Sequence, residues 1–170
     1  MLRWFKKSKP DLTEKTQAYE EGRQFGEQVL AQIDAFIETR FRPTSNGLLD
    51  VLQRQFETCI NPTDDPPIIV ARIEYKIFAE HVQKLGAQMP GEIALSLNRW
   101  IDVTVETGVR EDVQTLIETR VAIFQNELLM KGHELFTGIA DRLKEADDRW
   151  RVVNPELSAK IPPDADLIAR

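Results

Sequence analysis

The chain has 170 residues, 42% of them hydrophobic and 29% charged, with 8 glycines and a net charge of −6. That is enough apolar side chain to close one core, and it is far from the composition of a disordered segment. The acidic balance repels phosphate backbones and excludes nucleic acid as the expected partner, while a single cysteine, Cys59, excludes an internal disulfide and a cysteine metal cluster.

Residues 1–10 depart from that balance. Arg3, Lys6, Lys7 and Lys9 are accompanied by no acid, so removing their +4 from the total of −6 leaves −10 on the other 160 residues. Wound as a helix, Leu2, Trp4 and Phe5 share a side opposite Arg3, Lys6 and Lys7, the arrangement of an interfacial membrane anchor. The stretch lacks the apolar run and cleavage site of a secretory signal. No apolar run approaches the roughly 20 residues that span a bilayer. The expected location is therefore cytoplasmic, peripheral at the inner face of a membrane.

Asp11-Leu12-Thr13-Glu14 reads as a capping box and predicts a helix start. The apolar seam that follows, Tyr19, Gly22, Gly26, Leu30, Ile33, Ile37 and Phe41, has helical spacing, and Pro43 with Ser45-Asn46-Gly47 should end it. A second helix from Leu48 to Ile60 puts Leu48, Leu49, Leu52, Phe56, Cys59 and Ile60 on one side, before Asn61-Pro62 stops it. Asp64-Asp65-Pro66-Pro67 offers capping carboxylates and a proline for the first turn of a third helix, which runs to Leu85-Gly86.

Two places also fit strands. Ala71, Ile73, Tyr75 and Ile77 alternate with polar residues, so 69–78 has a strand alternative, and Ile101, Val103 and Val105 give 100–106 another. Helix is preferred at both. Arg72, Lys76, Glu80, Gln83 and Lys84 gather on one side of a wheel. In a fourth segment, Gly91 to Thr107, Asn98, Arg99, Asp102 and Glu106 do the same, with Gly108 placed to cap it.

The clearest pattern lies between Val109 and Arg151. Val113, Ile117, Val121, Phe124, Leu128, Gly132, Leu135, Ile139, Leu143, Ala146 and Trp150 recur in steps of 4, 4 and 3. This 11-residue repeat keeps a stripe on one side of a nearly straight helix. The fold expected is all-α: an antiparallel bundle of about five helices with a long C-terminal helix as spine and the first helix along it. An α+β fold using the two strand alternatives is the competitor. The division expected is a basic aromatic segment at 1–10, a helical domain at 11–151, and an extended or disordered tail at 152–170.

Chemistry finds few footholds. The residues three before the two histidines, His81 and His133, are Phe78 and Met130, so the di-iron bundle pattern fails. Thr137 stands where a zinc-protease helix needs its second histidine. No metal, cofactor or catalytic residue is expected. Glu74 and His81 fall within the apolar arc of the third helix and require partners, which Arg120, Glu127 and His133 beside the long seam could supply. Such a polar pocket would suit a small-molecule binder or enzyme. Gly22, Gly26 and Gly132 on the two long seams predict that the first and last helices cross there. The leading functional expectation is a non-catalytic helical scaffold, adaptor or assembly subunit whose seams bind copies of itself or another protein.

Overall fold

The computed structural model describes residues 12–61, 64–98 and 107–161. Its elements are α1 (Leu12–Phe36), a π turn (Ile37–Phe41), α2 (Arg42–Ile60), α3 (Pro67–Leu97), α4 (Thr107–Gly138), α5 (Ala140–Val153) and the short α6 (Pro155–Ser158). No strand occurs among the described residues, so the class is all-α; residues 69–78 are helical, and 99–106 lie outside the described residues. The alternation that suggested a strand arises because Ile73 and Ile77 sit on the exposed back of α3.

These helices line up as three rods. One core joins Val29, Ile33, Ile37 and Phe41 to Met89, Ile93 and Leu97 of α3 and to Ile117, Val121 and Phe124 of α4. A second joins Leu52, Phe56 and Cys59 to Ile68, Ala71, Phe78 and Val82 of α3, and to Leu128, Phe136 and Leu143. The rod α1–π–α2 therefore passes from the first core to the second, α3 returns, and α4–α5 passes down again. The first and last rods run in the same direction, with α3 antiparallel to both.

Contrary to the expectation from its sequence, Pro43 does not stop its helix. Proline cannot donate the bond that the carbonyl of Thr39 would receive, and its ring crowds that carbonyl. The backbone widens instead: the Arg42 amide bonds to the Ile37 carbonyl, five residues back, and Pro43 occupies the first turn of α2. Buried Ser45 then donates to the Phe41 carbonyl at 2.9 Å. Gly47 lies within α2.

Gly86 and Pro90 likewise fail to interrupt α3. Met89, Ile93 and Leu97, beyond those two residues, are buried in the first core. Each contributes about 1.5–3 kcal/mol by burial, which together outweighs the roughly 3 kcal/mol of an internal proline. The helix expected to open at Gly91 is thus the end of α3, and Gly108, read as a cap, lies inside α4. The cap of α3 is Pro66, with no side-chain capping bond, rather than an aspartate.

The long C-terminal helix is broken once. Ile139 adopts φ −109° and ψ 3°, its amide bonds to Phe136 three residues back at 3.3 Å, and Leu143 restarts the α-helical ladder on the Ile139 carbonyl at 2.9 Å. Gly138, a poor helix former, precedes the break. The stripe survives it. Ile117, Val121, Phe124, Leu128, Gly132, Leu143, Ala146 and Trp150 are buried, and Val113, Leu135 and Ile139 partly so. Where an extended tail was expected from 152, Val152 and Val153 complete α5, and Pro155–Ser158 form α6.

Candidate functional site

The five polar residues expected to share a pocket are distributed differently. His81 is exposed, and because a carbonyl can only accept, its Nδ1 carries the hydrogen that is donated to Ile77 at 2.7 Å. Glu74 is half-buried, close enough to Cys59 for its charge to add to burial, the larger cause, in pushing the thiol pKa up. Exposed His133 stands edge-on to Tyr75, with ring centroids 6.5 Å apart. So His133 does reach the third helix, but at an aromatic face.

Arg120 and Glu127 bind the rods together instead. Arg120 donates to Asp34 at 2.6 Å. Glu127 accepts from Lys131 at 2.8 Å and from Arg42 at 3.0 Å. Arg42 also grips Glu38 through Nε and Nη2, the closest contact being 2.7 Å, and lies 4.7 Å above the Phe124 ring. The hydrogen bond from Arg42 holds the Glu38 carboxyl below its ordinary pKa. Lys131 first, then Arg42, do the same for Glu127. The two carboxylates in turn keep Arg42 protonated beyond its ordinary value. The i,i+4 pair Glu38 and Arg42 could have been found from spacing; its cross-rod partner could not.

The crossing of the first and last helices expected at Gly22, Gly26 and Gly132 is not found; the one close approach among these glycines is to α3. A Cβ at Gly132 would overlap the Phe78 ring of α3, not α1. At Gly22 and Gly26 a Cβ would meet nothing. Gly86, taken as a helix end, is the second close approach: the Gln125 amide occupies the space of its missing Cβ and donates to the Val82 carbonyl at 3.3 Å. The anchor residues Leu2, Arg3, Trp4, Phe5, Lys6 and Lys7 lie outside the described residues.

Seven of the ten large apolar side chains exposed among the described residues lie elsewhere, but one apolar patch lies where α2 ends, α3 begins and α5 ends. There Ile60, Asn61, Pro67, Ala146, Arg149, Trp150, Val153 and Asn154 line an open cleft of about 240 Å³. Its floor is fixed because Trp150 donates from Nε1 to the Asp64 carbonyl at 3.1 Å. Val152 and Val153 are 81% and 77% exposed, and Leu157 of α6 is exposed too. On the same helix, buried Asp147 accepts from Arg151 Nε at 2.7 Å, and Arg151 reaches on to Ser158 Oγ at 3.4 Å and the Ile161 carbonyl at 3.3 Å. Asp147 Oδ1 has no hydrogen-bond partner.

Neither this cleft nor two others, of about 220 and 270 Å³, is lined by Glu74, His81, Arg120, Glu127 or His133. No cluster of metal-ligating side chains occurs among the described residues, and no helix among them is long and apolar enough to cross a membrane. No family model, curated protein or solved structure matches the chain.

Proposed function

We propose that this protein is a non-catalytic helical scaffold that assembles with a second copy of itself through the apolar end of the bundle, at the cytoplasmic face of a membrane. The observation that supports this reading is that one end offers both shapes a self-contact needs. It has a concave cleft walled by Ile60, Pro67 and Trp150, and projecting apolar side chains at Val152, Val153 and Leu157. An isologous contact uses the same patch twice, so a patch with both a hollow and a projection can complement itself. Large apolar residues left in water beside a hollow are what a contact surface looks like before it is covered.

Sedimentation equilibrium over a wide concentration range tests the reading. The expected result is a mass that rises above 19.5 kDa with concentration. Replacing Val153 with Asp should return the protein to the monomer and leave the melting temperature of the dilute monomer unchanged, because that side chain is already in water. A second protein held at the same end, sensitive to Val153→Asp while the chain alone stays monomeric, would convert the scaffold into an adaptor for that partner and overturn the self-contact.

A further inference from the structure

The short helix α6 has no buried residue, and among the described elements it packs on α5 alone. One turn of helix does not keep its shape in water by itself, so something outside it must hold it. Asn154 ties its start to the end of α5: the backbone amide, at 2.9 Å, and the side-chain Nδ2, at 3.1 Å, both donate to the Trp150 carbonyl. Within the segment, the Ser158 amide donates to the Asn154 carbonyl at 2.9 Å and the Ala159 amide to that of Pro155 at 3.1 Å. The far end is hydrogen-bonded to α5 by one side chain. Arg151 Nη1 donates to Ser158 Oγ at 3.4 Å and to the Ile161 carbonyl at 3.3 Å, while Asp147 fixes its Nε.

Asp147 is buried, yet one of its carboxylate oxygens has no hydrogen-bond partner. A buried ion pair left partly unsatisfied adds little stability that a well-packed apolar pair would not. What an apolar pair cannot do is bond a hydroxyl and a carbonyl seven and ten residues further along. We propose that Asp147 and Arg151 are the catch of a strap, residues 154–161, and that the fastened strap positions Leu157 for the contact with a second copy. Leu157 is half-exposed and stands three residues past Asn154, which lines the Trp150 cleft. On a fastened strap Leu157 is ordered before the copies meet; on a loose one it must be ordered as they associate, which weakens the contact. This rests on the self-contact proposed above and names the residues that regulate it.

The test uses the full chain with Asp147→Leu and Arg151→Met together, which opens the catch without stranding a buried charge. In the dilute monomer, amide hydrogen exchange at Ser158 and Ala159 should quicken at least about tenfold, the loss of one hydrogen bond to a charged group, and by a larger factor than amides in α3 and α4. Sedimentation equilibrium should show self-association weakened at least about tenfold, as when a well-packed interface side chain is removed. Leu157→Ala alone should weaken association comparably, but add little once the catch is open, because both act through the same side chain. Unchanged exchange at Ser158 and Ala159, unchanged association with the strap loose, or full additivity with Leu157→Ala overturns the proposal. A wild type that stays monomeric overturns the self-contact and the part of Leu157 in it, whereas the exchange comparison, made on the monomer, still decides whether the pair fastens the strap.

Discussion

Gly132 on α4 lies against the ring of Phe78 on α3 so closely that a single added methyl would occupy the ring's place. Phe78 is itself buried in the second core beside Leu128 and Phe136, so it has nowhere to retreat. Gly132→Ala should therefore destabilise the fold by about 1–3 kcal/mol through overpacking, despite alanine's better helix propensity. Gly22→Ala and Gly26→Ala, whose new methyls meet nothing, should stabilise by about 0.5–1 kcal/mol each. Urea unfolding of the three variants reads this directly. A stabilised Gly132→Ala would mean the rods do not approach there.

The Arg42 network should give the fold an acid-sensitive component. Glu38 and Glu127 have folded-state pKa values below 4.5, so their contribution is fully present above the unfolded value. It is lost as pH falls below 4.5 through the lowered folded values. Arg42→Met should flatten the loss of urea midpoint between neutral pH and this acid range. At neutral pH it should cost about 1–2 kcal/mol, from half-exposed ion pairs and the lost stacking on Phe124. Arg42→Lys should recover only part, since an ammonium cannot fork between two carboxylates.

Asp147 and Arg151 form the most buried ion pair of the described residues, with side chains 6% and 19% exposed. Removing the cation alone leaves a buried acid that already has one unpartnered oxygen. Arg151→Ala should therefore cost about 3–5 kcal/mol. The pair of substitutions Asp147→Leu and Arg151→Met should cost much less than the sum of the single ones, because no uncompensated charge remains. Additive losses in a double-mutant cycle would refute the pairing.

Cys59 should resist thiol reagents. Burial and the nearby Glu74 carboxylate both raise its pKa, which lowers the fraction of reactive thiolate at neutral pH. Labelling is expected to be slow and to accelerate with urea in step with unfolding. Fast labelling of the native protein would show the second core to be open.

The seam from Val113 to Trp150 was legible in the sequence because burial of one side repeats at helical spacing, whether or not the backbone breaks at Ile139. Helix ends were much less legible. Pro43, Gly86, Pro90 and Gly108 carry strong local signals to stop, and at the first three packing of Phe41, Met89 and Ile93 into the first core overrides them. The polar contacts were not legible. Asp34 meets Arg120 and Arg42 meets Glu127 across separations of 86 and 85 residues. That near-constant offset is a property of two rods running side by side in the same direction. It depends on the lengths of the intervening segments, which no local pattern encodes. Glu74 and His81 fell within the apolar arc of the wheel, yet Ile73 and Ile77 of α3 face water, His81 does too, and Glu74 is only half-buried.

Sedimentation equilibrium of wild type beside Val153→Asp addresses the scaffold reading most directly. The wild-type mass should climb from 19.5 kDa toward twice that value with concentration, while the variant stays monomeric and melts where the dilute wild type does. A wild-type protein that remains a monomer at the highest concentrations, or a variant that associates as strongly as wild type, would contradict assembly through the Trp150 cleft.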